Sequence, residues 1–221
     1  MDEFLNTQYT PWKAYCINLP RCTERRATFS TWAADIGLTF TFWDAVDKND
    51  LADSECQVKV GAAVSKGATA CRRSHEALWR HILEEKDLKY VFIFEDDAGF
   101  TDKSITDLKR FFTDVKRSSL EWSILQLGFG TMEGVDLSLL SVRNPPGIHR
   151  VLFSDETHAL FLKRSAVIQL EALSRDPKYV TNTADSLLWF FLHKRRGTIL
   201  APTKSIITQV DSVSYIDYVT S

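Results

Sequence analysis

The sequence predicts a single α/β domain with a mostly parallel central sheet flanked by helices. Three observations lead there. Short apolar, β-prone runs such as YVFIF (Tyr90–Phe94) recur along the chain, and segments with apolar residues at helical spacing separate them. No repeat, low-complexity tract or flexible linker divides the 221 residues. Strands that alternate with helices point to a parallel sheet with helices on its faces. A chain of this length can bury a substantial core in one domain, taken as residues 1–221.

The first strand is AYCINL (Ala14–Leu19), ended by Asn18 and Pro20. TERRATFSTWAADIG (Thr23–Gly37) reads as a helix: Thr23 suits the N-cap, Phe29, Trp32, Ala33 and Ile36 form the stripe, and Gly37 suits the stop. TFTFWDAV (Thr39–Val46) alternates like a strand, and Asp47–Lys66 has no period and reads as a surface loop. A helix over Ala70–Lys86 carries Cys71, Leu78 and Ile82, and leads into Tyr90–Phe94. Further strands fall at Trp122–Gly128, Thr157–Lys163 and Thr198–Pro202, with helices at Ser165–Ser174 and Thr183–His193. GFGTMEG (Gly128–Gly134) lacks the GxGxxG spacing of a dinucleotide site and reads as a substrate-contacting loop. HEALWRH is not HExxH, because His75 and His81 lie six residues apart on different helix faces.

Hydrophobic residues make up 44% of the chain and charged residues 25%, the balance of a folded soluble protein. A net charge of −2 gives no reason to expect a nucleic-acid or anionic-membrane surface. No apolar run approaches the roughly 18 residues of a membrane span, so stable membrane insertion is not expected. The polar, acidic start MDEFLNTQYTPWK does not read as a secretory leader. Cys16, Cys22, Cys56 and Cys71 form no CxxC pair, so reduced thiols, a cytoplasmic location and no zinc site are expected.

Three consecutive carboxylates, Glu95, Asp96 and Asp97, follow the Tyr90–Phe94 run. Ligands of open α/β sheets bind beyond the carboxyl ends of the strands. Clustered carboxylates there repel one another unless a cation intervenes, and Mg²⁺ or Mn²⁺ takes carboxylates together with substrate phosphates. The alternative is a solvated acidic turn. Asn18 and the arginines Arg21, Arg25 and Arg26 follow the first strand, at another ligand-facing edge, where guanidinium groups suit phosphates or base edges. Ser74 and His75 lie on the helix before the acidic strand. Trp43, Trp79, Trp122 and Trp189 read as core.

The ordered segments INLPRCTERR (Ile17–Arg26), GATACRRSH (Gly67–His75), VFIFEDD (Val91–Asp97), ILQLG (Ile124–Gly128), HALFLKRSAV (His158–Val167), TADSLLW (Thr183–Trp189) and TQVDSVS (Thr208–Ser214) resemble glycosyltransferase family 25. That family includes lipopolysaccharide glycosyltransferases and procollagen galactosyltransferases. The resemblance covers roughly residues 14–214. Ala68 and Ala70 depart from it, standing where the family has glutamate and glycine.

The resemblance implies a GT-A fold and inverting transfer of a hexose, galactose or glucose, from a UDP-sugar. The acceptor would be a hydroxyl of a glycan, lipid-linked saccharide or other biomolecule, a modified base included. It implies Mn²⁺ or Mg²⁺ on Glu95, Asp97 and Gln209, with Asp211 a further candidate. It also implies donor contacts from Asn18, Arg21, Arg25, Ser74, His75 and Asp96, and Asp185 as the base. Asp185 has a plainer alternative as a helix N-cap. Two other readings stand beside the enzyme: a non-catalytic nucleotide-sugar or glycan binder, and a Mg²⁺-dependent phosphoryl-transfer enzyme or nuclease.

Overall fold

The structure is a computed structural model and describes residues 1–56, 65–139, 146–179, 183–195 and 197–210. After a short helix α1 (Asp2–Gln8), the chain runs β1 (Trp12–Asn18), α2 (Thr23–Asp35), β2 (Thr41–Asp44), α3 (Lys66–Glu84), β3 (Tyr90–Glu95) and β4 (Ala98–Gly99). Then follow α4 (Ser104–Ser118), β5 (Ile124–Gly128), β6 (Met132–Asp136), β7 (Ile148–Ser154), β8 (Ala159–Lys163) and α5 (Arg164–Arg175). Last come α6 (Ala184–Arg195), β9 (Ile199–Pro202) and β10 (Thr208–Gln209).

Eight strands form one sheet in the order β2-β1-β3-β8-β5-β9-β7-β6, and β4 pairs with β10 beside it. Following the pairings outward from β1, all but β7 and β8 run in the same direction. The sheet is therefore mixed and mostly parallel in strand direction, with helices packed on it. The reversed β8 lies between β3 and β5, which brings its start beside their ends.

Alternation along β3 divides the core. Phe92 and Phe94 point to one face, where they meet Phe29 of α2, Phe112 of α4 and Phe161 of β8. Val91 and Ile93 point to the other, against Leu78 and Trp79 of α3, Leu170 of α5 and Phe191 of α6. A strand covered on both faces must be apolar throughout its centre. The YVFIF run is the sequence consequence.

Local chemistry sets several boundaries. Ser65 caps α3, its Oγ accepting the Ala68 N–H at 3.1 Å, so the helix starts at Lys66, four residues before the predicted Ala70. Thr23, expected as the cap of α2, is instead its first helical residue; the capping position falls to Cys22, which supplies no side-chain bond. Gly37 stops that helix as predicted, at φ +62, a left-handed conformation that glycine adopts at little cost. Asp47–Lys66 contains two short 3₁₀ turns, Lys48–Asp50 and Asp53–Cys56. The GFGTMEG segment is not wholly loop: from Met132 it enters β6, which pairs with β7 through a bulge at Glu133/Gly134. There a Cβ on Gly134 would lie 2.8 Å from the Arg150 carbonyl oxygen. Among the described residues, no helix is long and apolar enough to cross a membrane.

Candidate active site

The parallel pair β1–β3 ends in register, with Ile17 opposite Glu95, so Asn18 and the acidic triplet emerge side by side. Asp96 takes two hydrogen bonds: Asn18 Nδ2 donates to Oδ2 at 2.7 Å, and Arg25 Nη1, from the first turn of α2, donates to Oδ1 at 2.8 Å. Burial still holds its carboxyl above the ordinary range, against the pull of Asn18 and Arg25. Asp97 lies 3.8 Å from Arg25 through Oδ2, which also accepts from Gln209 Nε2 at 3.0 Å. Its Oδ1 is buried and, among the described residues, has no hydrogen-bond partner. Burial, then the Glu95 charge, pushes the Asp97 carboxyl up to about 6.

Glu95 turns to different neighbours. Thr157 Oγ1 donates to its Oε1 at 2.5 Å, and His75 Nε2 lies 3.1 Å from the same oxygen. Burial pushes this carboxyl up, but the His75 bond and charge, with Thr157 and His158, outweigh it and hold Glu95 below the usual range. His75 reaches it from α3 and is wholly buried.

Beside Glu95 opens a cleft of about 130 Å³ whose walls include Ala68, Cys71, Glu156, Thr157, Asp185 and Gln209. Asp185 is not the cap of α6. Thr183 holds that position, its Oγ1 accepting the Ser186 N–H at 3.2 Å, which leaves Asp185 one residue into the helix and turned to the cleft. Burial, then the Glu95 charge, raises its carboxyl to about 6, while His75 pulls the other way.

The segment that delivers Gln209 is tied to the body of the domain at several points, beginning with the Ile206 and Ile207 N–H groups on the Leu127 carbonyl at 3.0 and 3.1 Å. Gln209 and Thr208 pair with β4, the Val210 N–H donates to the Asp97 carbonyl at 2.8 Å, and His158 Nε2 lies 2.9 Å from the Ile207 carbonyl oxygen. His158 Nδ1 faces Glu156 at 3.2 Å. Burial lowers the affinity of His158 for a proton, but the bonds to Glu156 and Ile207 outweigh it and leave its pKa raised.

The structure thus brings together Asn18, Arg25, His75, Glu95, Asp96, Asp97, Asp185 and Gln209. It does not bring Ser74 to the cleft wall: this side chain is 1% exposed, accepts the Val46 N–H at 2.9 Å and donates to the Ala70 carbonyl at 2.7 Å. Arg21 stands toward solvent, its Nε on Asp47 Oδ2 at 2.5 Å. Asp211 lies outside the described residues. Thr157, Glu156 and Cys71 are cleft residues that pattern reading does not single out. The polar Glu156-Thr157-His158 start of an apolar strand was the available signal.

The family model for glycosyltransferase family 25 (LPS biosynthesis protein) matches residues 12–132, more than half of the chain. The chain belongs to glycosyltransferase family 25. Its family-25 relatives carry two kinds of name. A probable inactive glycosyltransferase 25 family member 3 of Rattus norvegicus is 30% identical over 130 residues, covering 52% of this chain and 22% of that protein. The lacto-N-neotetraose biosynthesis glycosyltransferase LgtE of Neisseria meningitidis is 34% identical over 89 residues, covering 38% of this chain and 31% of its own length. The lipooligosaccharide biosynthesis protein lic2B of Haemophilus influenzae is 31% identical over 88 residues, 38% of this chain and 33% of that one. The matches therefore span a fifth to a third of these relatives. In fold, the chain is similar to a glycosyltransferase involved in glycosylation of the major capsid of PBCV-1, with a TM-score of 0.52 at 10% identity, covering 92% of this chain and 94% of that one.

The family-25 match contains Asn18, Arg25, His75 and the acidic triplet; Thr157, Asp185 and Gln209 lie beyond it. Of the two departures from the family-25 pattern, Ala68 lines the cleft and Ala70 is buried in α3. The donor set fits a hard divalent cation: Asp97 offers a buried oxygen that no group among the described residues satisfies, and Gln209 adds an amide beside it.

Proposed function

We propose that the chain is an inverting, divalent-cation-dependent glycosyltransferase that moves a hexose, galactose or glucose, from a UDP-sugar to a hydroxyl of a glycan or lipid-linked saccharide. The observation that carries this reading is Asp185. It stands in the cleft beside the acidic strand end, with its carboxyl raised to about 6, where it can both lose and take a proton near neutral pH.

Asn18 and Arg25 hold Asp96 at the donor end, and the Arg25 charge lies close to the place of the phosphates. Arg21 extends that basic edge, and Ser74 acts from beneath by tying α3 to Val46. Asp97 and Gln209 would hold Mn²⁺ or Mg²⁺, with Glu95 behind them, and the ion would neutralise charge on the departing diphosphate. Asp185 takes the acceptor hydroxyl proton as that oxygen bonds to the anomeric carbon. The carbon–oxygen bond to the diphosphate breaks on the opposite side, its electron pair leaving with the phosphate oxygen, and the configuration inverts. His75 and Thr157 keep Glu95 ionised and fixed, which in turn sustains the proton affinity of Asp185.

The test is turnover of a UDP-hexose panel with Mn²⁺. Asp185→Asn should lower kcat by about 10²–10⁴-fold, the usual contribution of a general base, with donor KM nearly unchanged. EDTA should abolish turnover, and the product anomer should be opposite to the donor's. Near-normal kcat in the variant, or full activity in EDTA, removes the assignment. A second reading, a non-catalytic nucleotide-sugar binder, draws on the inactive names of the mammalian relatives. It predicts UDP-sugar binding with no transfer and no slow hydrolysis.

A further inference from the structure

Among the described residues, the ring contacts of Trp189 lie within its own helix, α6. All six tryptophans are described, and Trp189 is the most exposed of them, at 39%. Its ring contacts are Phe190, edge-on at 5.0 Å, and His193, at 4.5 Å, both in α6. The indole is therefore oriented by its neighbours yet open on a face.

Its place in α6 relates it to the proposed base. Ala184, Leu187, Leu188 and Phe191 give the helix its buried side. Asp185 and Trp189 are four residues apart, so they differ by about 40° of rotation and about 6 Å of rise on the other flank. Helical side chains lean toward the N-terminus, so a residue covers the turn before its own Cα. Trp189 is not among the residues that line the cleft but stands one turn further along α6, where an indole leaning back over the Asp185 turn would extend the wall as a flat apolar ledge.

The cleft beside that ledge supplies the complementary chemistry. Glu95, Glu156 and Asp185 offer carboxylates, Thr157 a hydroxyl and Gln209 an amide, while its described walls include no lysine or arginine. His158 is the one described wall residue that can carry positive charge, and its Nδ1 faces Glu156 at 3.2 Å, so the surface as a whole accepts hydroxyl protons and disfavours anions. A pyranose ring has one apolar C–H face and a rim of hydroxyls, and it matches both parts.

We propose that Trp189 is the acceptor platform and that the acceptor ends in a neutral hexopyranose, stacked on the indole with a hydroxyl directed to Asp185. The proposal rests on the transferase reading and narrows its acceptor to an uncharged glycan terminus.

Binding can be read without turnover, using the Asp185→Asn protein as background. Methyl β-D-galactopyranoside and methyl β-D-glucopyranoside, with glucose 6-phosphate and methyl β-D-glucuronide as anionic counterparts, are followed by saturation-transfer NMR and tryptophan fluorescence. At least one neutral glycoside should bind and quench the fluorescence. Trp189→Ala should weaken it by about threefold to tenfold, the contribution of one aromatic stacking contact, and Trp189→Tyr should restore much of the loss. UDP affinity, measured by calorimetry, should stay constant and certifies the fold. Equal glycoside binding in Trp189→Ala, no neutral glycoside bound by the parent protein, or preference for the phosphorylated sugar would overturn the proposal. If glycosides bind through Trp189 but wild-type protein transfers from no UDP-sugar, the transferase reading fails and the platform stands.

Discussion

Asp185 is held in a place that is unfavourable for a carboxylate, and this has a measurable consequence. Its folded-state pKa of about 6 lies above its ordinary 3.8, so the folded protein binds the proton more tightly than the unfolded chain. Between those values, raising the pH removes stability, and above about 6 the whole penalty is present. Asparagine mimics the protonated form. Asp185→Asn should therefore stabilise the protein by up to about 3 kcal/mol above pH 6.5, from roughly two pKa units at 1.36 kcal/mol each, with no gain below about pH 3.8. Denaturant melts at pH 4 and pH 8 check it; an equal effect at both would mean the carboxyl is not raised. Arg25 gives a second residue-scale expectation. Arg25→Ala should raise donor KM by about tenfold to a hundredfold, the loss of one charge-assisted hydrogen bond. Unchanged donor affinity with a lowered melting temperature would make Arg25 a brace for Asp96 only. Arg25 was legible because it follows the end of a strand, and Asp185 because TADSLLW is one of the segments that resemble the family. Thr157, which bonds Glu95, was not, because it precedes its strand instead of following one, and the strand's direction is not written in its composition.

At the scale of elements, β8 explains what pattern reading could not supply. The run Ala159–Leu162 is recognisably a strand, but its direction is set by the connection from β7 and by pairing between β3 and β5. Because it runs backwards, the residues before it, Glu156, Thr157 and His158, arrive at the ligand edge, where parallel strands deliver the residues after them. The helix α4 was readable in principle: Leu108, Phe111, Phe112 and Val115 lie at helical spacing and are buried. Gly128, at the end of β5, shows how closely these elements meet. A Cβ there would lie 2.1 Å from His158 Nε2 and 2.8 Å from the Ile207 carbonyl oxygen. Gly128→Ala should destabilise the protein by about 1–3 kcal/mol through overpacking, and should weaken Mn²⁺-dependent UDP binding, because the displaced His158 also holds the Gln209 segment. Thermal melts and calorimetry test the two effects. Intact binding in a destabilised variant would separate Gln209 from the site.

Across the whole molecule, the two cores on either face of the sheet make its central strands the most protected part, while the corner around Asp97 depends on a much smaller structure. The β4–β10 ladder spans two residues per strand, and beyond Ile207, which is anchored to Leu127, it helps the Val210–Asp97 bond keep Gln209 in position. A two-residue ladder whose Thr208 and Gln209 are exposed opens locally at lower free energy than the buried central strands. Ligand that engages Asp97 and Gln209 together must then suppress that opening, by as much as its affinity for the closed form exceeds that for the open one. UDP with Mn²⁺ should slow amide exchange at Ile207 and Val210 and leave Phe92 and Ile93 unchanged; uniform slowing would assign the effect to global stabilisation. The same coupling acts on time as well as affinity. On the proposed transferase reading, a spent nucleotide held by Asp97 and Gln209 would leave no faster than this corner unfastens, so the two-residue ladder would act as the molecule's clock for product release.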